Sequence, residues 1–201
     1  MGRTSDGKQR LVEASHALMQ RNGFATVGVA EICARAEVNK GSFYYFFKSK
    51  QALTAAVIDR HATNVCASWE TALGGAGAPL ARLEAHLNGI YHRHQDAKSL
   101  NGVVLGCMLG NLALERSTLD PAIREQLAAV FSRQQQMLAD VLSEAEALGH
   151  LDAAVTPEGG AQAIVALMEG MILLAKLRDD PEALRDLGQL SLRLVAAPPS
   201  Q

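Results

Sequence analysis

The chain has little of what marks a metalloprotein, a membrane protein or a thiol enzyme. Its 201 residues hold three cysteines, Cys33, Cys66 and Cys107, with no Cys-x-x-Cys spacing. That argues against a disulfide framework or a zinc site and fits a reducing compartment. The six histidines are dispersed; His92 and His94 point about 200° apart on a helix, and nothing around them makes an i, i+4 ligand set. No metal is expected, and no cofactor is implied. A thiol-dependent enzyme needs a placed base or a resolving cysteine, and no Cys-His or Cys-Cys spacing supplies one. No stretch alternates as a strand does, and no segment repeats. The most apolar run, Ala161 to Leu177, is interrupted by Gln162, Glu169, Gly170 and Lys176, which is too broken for a span of about twenty apolar residues. With no signal peptide at the start, a cytoplasmic protein without a membrane partner is expected.

What is present is helical periodicity and abundant apolar residues, 48% of the chain, ample for a sizeable core. Breaks fall at Gly74 to Pro79, Ser99 to Gly102, Asp120-Pro121, Gly149, Thr156-Pro157 and Asp180-Pro181; the Asp-Pro and Thr-Pro pairs are N-cap and first-turn signals. The spacing predicts an all-α fold of about nine helices, near 6–22, 27–36, 40–47, 50–73, 80–95, 103–116, 121–148, 157–178 and 181–196.

The first fifty residues read as a three-helix unit. Leu11, Ala14, Ser15, Leu18, Met19 and Phe24 mark a helix ended by Gly23, with Asp6 and Gln9 spaced as a capping box. Thr26 precedes a short amphipathic helix carrying Val29, Ile32, Cys33 and Ala36. After a tight turn, Asn39 can cap a helix from Lys40 whose apolar face is Phe43, Phe46 and Phe47. Two short helices across a three-residue turn make a helix-turn-helix. Gly41 leaves the first turn bare, so backbone N–H groups and the helix dipole can approach a phosphate or base edge, and Ser42 can bond to either. Residues 1–50 hold eight Lys or Arg against four Asp or Glu, while 51–201 hold eleven against seventeen. A basic head on an acidic body suits a chain that touches duplex DNA with one domain.

Gly23-Phe24, Val29-Ala30-Glu31-Ile32, Val38-Asn39-Lys40-Gly41-Ser42-Phe43-Tyr44-Tyr45-Phe46-Phe47 and Ser49-Lys50-Gln51-Ala52-Leu53 resemble the DNA-binding domain of the TetR family of bacterial transcriptional repressors. The resemblance runs to about residue 55. It implies a DNA-binding domain over 1–50 and a ligand-binding and dimerisation domain over 51–201. Lys40, Gly41 and Ser42 would face base edges or phosphates, Tyr44 and Tyr45 would grip the backbone, Lys50 would reach a phosphate, and Thr26 and Lys48 complete the DNA-facing set. Glu37 stands where the family usually has glycine, which suggests a turn shaped without a strongly left-handed residue.

The family also implies a homodimer through the last two helices, about 157–178 and 181–196, a palindromic double-stranded operator, and a small-molecule inducer. Ile164 to Leu177 is apolar around much of its circumference and needs cover on two sides. Candidate ligand contacts are Trp69, Leu87, Tyr91, Met108, Leu112, Phe131, Met168 and Met171, each equally a core residue by type. The C-terminal half resembles a subgroup that senses reactive electrophiles, in which a cysteine matching Cys107 is the sensor and a lysine matching Lys176 its partner. Gly106 and Gly110 leave room around that sulfur, at a cost of about 1 kcal/mol each if both lie in a helix. Packing alone would also account for Cys107. Glu115 and Arg116 could pair with each other or with Arg124, and read as a solvated salt bridge. A ligand carrier would explain the bundle but not the basic helix-turn-helix.

Overall fold

Helix start signals shape this chain, and the computed structural model follows them over the residues it describes, 3–197. Among these are nine α-helices and one 3-10 turn, with extended pairing confined to an isolated bridge between Leu151 and Ala196. The helices are α1 (Arg3–Asn22), α2 (Val29–Ala36), α3 (Lys40–Phe46), α4 (Lys50–Leu73), α5 (Pro79–Asn101), α6 (Met108–Arg116), α7 (Pro121–Ala147), α8 (Pro157–Arg178) and α9 (Leu187–Val195), with the 3-10 turn at Pro181–Leu184. Each expected cap before a proline is made by its side chain. Asp120 accepts from Ile123 N–H at 3.2 Å, Thr156 from Gly159 N–H at 3.1 Å and Asp180 from Glu182 N–H at 3.0 Å, satisfying donors that the helix leaves over.

Four elements differ from the sequence reading, the last being the helix expected over 181–196, which is the 3-10 turn Pro181–Leu184 followed by α9 from Leu187. α1 begins at Arg3, so Asp6 lies inside the helix and pairs with Arg10 at 3.6 Å instead of capping. α5 runs on to Asn101, where Gly102 closes it at φ 77°. The segment expected to be helical from 103 stays irregular until Met108, because Gly106 sits at φ 76°, a conformation that cannot continue a right-handed helix. Only Gly110 therefore carries a helical glycine's cost.

The chain forms two compact units. The first holds Met1–Asn64 with Cys107–Ala129, the second Val65–Gly106 with Val130–Gln201. In the first, α2, α3 and α6 pack on α1, and Leu11, Ile32, Phe43, Leu53 and Ile58 are fully buried. Its buried hydroxyls have partners: Ser15 donates to the Met19 sulfur at 3.4 Å and Thr54 to the Lys50 carbonyl at 2.9 Å.

In the second unit α9 lies on α5 and α8, around fully buried Leu83, Leu87, Leu138, Leu142, Ile164 and Val195. The approach is close enough to need glycine. A Cβ at Gly160 would stand 2.9 Å from Leu142 Cδ1, and one at Gly188 would strike Asn88 Oδ1 and come within 3.0 Å of the Glu84 carbonyl. By length and composition α8 does reach what a membrane span requires, contrary to the expectation from its polar residues. Its Ile164, Val165, Met168 and Ile172 are nonetheless buried, as in the core helix of a packed bundle.

Candidate nucleic-acid interface

α2 and α3 are short, so their ends decide their geometry. α2 leaves through Glu37 at φ 53°, ψ 42°, a left-handed residue; this corrects the expectation that a non-glycine there avoids that conformation. Glu37 N–H donates to Ala34 O at 3.2 Å and Val38 N–H to Cys33 O at 3.0 Å, and these bonds require the turn whatever the side chain. α3 then starts where Asn39 Oδ1 accepts from Ser42 N–H at 2.8 Å. Phe43 is fully buried and Phe47, the C-cap, nearly so. Phe46 is only half-buried, its ring edge lying against Gly7 of α1, a partial departure from the expected core triplet.

The opposite face is open. Lys40, Gly41 and Lys48 are exposed, Tyr44 and Tyr45 are 57% and 77% exposed, and Ser42 is intermediate. The helix and its exit thus offer two tyrosines, two ammonium groups and an uncovered first turn, with donors suited to phosphate and base edges. Thr26 is exposed, but its hydroxyl donates to Asn22 O at 2.6 Å, holding the α1–α2 turn.

Lys50 is not arranged to reach a phosphate. Its ammonium donates to Phe24 O at 2.6 Å and Val27 O at 2.8 Å and lies 3.9 Å from the Phe24 ring centre; burial pushes its pKa down. Glu115 of α6 completes this anchorage, accepting from Phe24 N–H at 2.8 Å and Ala25 N–H at 2.6 Å. Arg116 lies 4.4 Å from the same ring and 3.8 Å from Asp120. Glu115 is therefore no solvated pair: it ties the end of α6 to the turn that opens the helix-turn-helix. No local signal announces a contact across ninety residues.

A second missed feature joins α1 to α4. His16 Nε2 and His61 Nδ1 stand 3.0 Å apart beside a cavity of about 340 Å3 that Arg60 and Glu13 also line. Burial, with His16 nearby, pushes His61 down to about 4, and burial with the Arg60 charge lowers His16.

The expected ligand contacts scatter. In the first unit Met108 and Leu112 are buried in α6. In the second, Trp69, Leu87 and Met168 are buried and Phe131 and Met171 are intermediate. Tyr91 is drawn to the surface, donating to Glu182 at 2.6 Å and accepting from Gln95. Cys107 belongs to the first unit and Lys176, exposed on α8, to the second. Cys107 is the N-cap of α6, its sulfur accepting from Gly110 N–H at 3.3 Å. Cys33 and Cys66 are buried, and burial raises both thiols. Among the described residues no group of three or more His, Cys, Asp or Glu is placed to hold a metal.

Known proteins share this architecture. Residues 11–57 match the model of bacterial regulatory proteins of the tetR family, and 79–189 match the tetracyclin repressor-like C-terminal domain. The chain is 34% identical over 177 residues to the transcriptional regulator AcuR of Cereibacter sphaeroides, covering 88% of this chain and 79% of that one. It is 27% identical to the HTH-type transcriptional repressor NemR of Escherichia coli over 96% of both. The crystal structure of a regulatory protein TetR from Rhodobacter sphaeroides superposes with a TM-score of 0.82 at 33% identity, covering 93% of this chain and 97% of that one. That of reduced E. coli NemR gives 0.84 at 27%, over 97% and 100%. With both of its halves matched, the chain belongs to the tetR family of bacterial regulatory proteins.

Proposed function

We propose that the protein is a cytoplasmic transcriptional repressor that binds a palindromic operator as a homodimer and leaves it when a small molecule or a reactive electrophile acts on the helical bundle. The observation that carries this is the α3 face, capped by Asn39, closed behind by Phe43 and open in front with Lys40, Gly41, Ser42, Tyr44, Tyr45 and Lys48. In this reading α3 enters the major groove, and the tyrosines and lysines hold the flanking phosphates. Lys50 and Glu115 act from behind by fixing the turn.

Leu173, Leu174 and Leu177 of α8 and Leu194 of α9 are 41–77% exposed. A two-fold partner that covers them would set two α3 helices about one DNA turn or a small multiple apart. Cys107 is the proposed electrophile sensor. The Gly110 N–H and the positive end of α6 stabilise negative charge on the sulfur, which is the nucleophilic form. AcuR, DhaR and NemR are named as regulators or repressors, in keeping with this reading.

The test is fluorescence anisotropy on the DNA upstream of the protein's own gene, with and without N-ethylmaleimide, for wild type and Cys107→Ser. Binding by both, with release of the wild type alone, supports the sensor. Binding by both without release removes Cys107 from the mechanism, and failure to bind any palindrome in that DNA removes the operator reading.

A further inference from the structure

α1 begins beside the exit of α3. Gly7 is buried, and a Cβ there would stand 3.2 Å from Phe46 Cε2, so the second turn of α1 lies directly on that ring. Glycine weakens a helix relative to alanine, and the close approach is what it permits here. The Phe46 ring in turn meets the Tyr45 ring edge-on, with centres 5.1 Å apart, and Tyr45 is 77% exposed. The next residue of α1, Lys8, is exposed and brings its ammonium to 5.8 Å from the centre of the Phe47 ring. Lys48 follows Phe47 directly in the chain. The exit of α3 is thus bordered by Tyr45, Lys48 and, from a different helix, Lys8.

The ammonium of Lys8 is not committed to a carboxylate. Arg10 of α1 pairs with Asp6, and Arg60 of α4 with Glu13, whereas among the described residues no carboxylate lies within ion-pair reach of Lys8. A cation near the outer limit of reach of a ring, and in contact with water, gains little from it. That contact directs the stem and leaves the N–H donors open.

We infer that Lys8 holds a backbone phosphate of the operator, next to the one that Lys48 reaches, so that α1 grips the duplex together with α3. The inference rests on the DNA-binding reading of the α3 face and adds a contact from outside the helix-turn-helix. The partner follows from place and donor. The N-terminal residues of a helix in the major groove meet the bases, so residues that border its exit meet the sugar-phosphate backbone. An ammonium on a flexible stem is a point charge suited to a phosphate, and it reads no sequence there.

The test is the salt dependence of binding, followed by fluorescence anisotropy on the duplex upstream of the protein's own gene and on a scrambled duplex of equal length. Lys8→Met keeps a stem over Phe47 and removes the charge, while Lys8→Arg keeps both. Lys8→Met should lower the slope of log affinity against log salt by about one, so that its deficit against wild type shrinks about threefold between about 50 and about 200 mM salt. The loss should be equal on both duplexes, add to that of Lys48→Ala, and be absent in Lys8→Arg. A purely structural contact with Phe47 would instead lower the midpoint in urea and leave the slope in place. An unchanged slope in Lys8→Met, a loss confined to the operator, a loss that persists in Lys8→Arg, or a double variant no different from Lys48→Ala overturns the inference. A wild type with no preference for the upstream duplex removes the operator reading and this contact with it. A wild type that keeps that preference, with a slope independent of Lys8, removes this contact alone.

Discussion

Glu115 holds Phe24 by its backbone, the carboxylate accepting the Phe24 N–H at 2.8 Å from ninety-one residues away. With the adjoining bond from Ala25, it supplies acceptors for two N–H donors that the left-handed Gly23 turn, at φ 82°, leaves without helical partners. Glu115→Ala strands a part-buried donor, at a cost of about 1–2 kcal/mol. For a chain of this size that is roughly 2–4 °C of thermal midpoint per kcal/mol. Hydrogen exchange at the Phe24 and Ala25 amides should quicken in the variant, while the α3 amides keep their protection. Unchanged exchange at both would show that the carboxylate does not hold the turn.

Two lysines two residues apart should behave differently on DNA. Lys48 is exposed, so Lys48→Ala should lower the slope of log affinity against log salt by about one, the loss of one phosphate contact. Lys50 is committed to the Phe24 and Val27 carbonyls. Lys50→Ala should leave the slope alone and cost about 2 kcal/mol of stability through its charged hydrogen bonds, read as a lower midpoint in urea. A salt slope that drops equally in both variants would return Lys50 to the interface.

What could be read in advance was local. Asn39 and the Phe43 face announce α3, and Asp120, Thr156 and Asp180 each announce a helix, because caps and periodicity act within one turn of chain. The contacts of Lys50 and Glu115 were not legible in this way, because their partners lie far from them in sequence. Cys107 was placed inside a helix because glycine is ambiguous: Gly110 is helical, whereas Gly106 ends the irregular segment before it. The burial of His86 against the edge of Trp69 was illegible for a third reason, since an isolated histidine on a helix gives no sign that both its nitrogens are buried.

Acid should weaken the fold before the carboxylates titrate. His61 is held at about 4 against an ordinary 6.5, His86 likewise, and His16 and His94 are also lowered. Between about pH 6.5 and 4 the unfolded chain therefore binds more protons than the folded one. The stability these rings contribute is fully present above 6.5 and is lost as pH falls through that window. The thermal midpoint should decline steadily from pH 7 to pH 4.5. His61→Gln, which removes one depressed site, should flatten the decline; an equally steep fall in the variant would assign the acid sensitivity elsewhere.

Glu37 separates backbone from charge at the turn before α3. Holding a left-handed conformation at φ 53° costs an ordinary residue about 1–2 kcal/mol, whereas glycine adopts it freely but gives the unfolded chain about 0.4–1 kcal/mol of extra entropy. The contact with Arg10, at 3.9 Å and largely exposed, adds little. Glu37→Gly should therefore raise stability by less than about 1 kcal/mol. Both Glu37→Gly and Glu37→Gln remove a carboxylate that repels phosphate, so both should tighten operator binding, more at low salt than at high salt. Only the glycine variant should also raise the thermal midpoint. A gain in affinity confined to Glu37→Gly would mean that the turn's conformation, and not the carboxylate's charge, limits how α3 meets DNA.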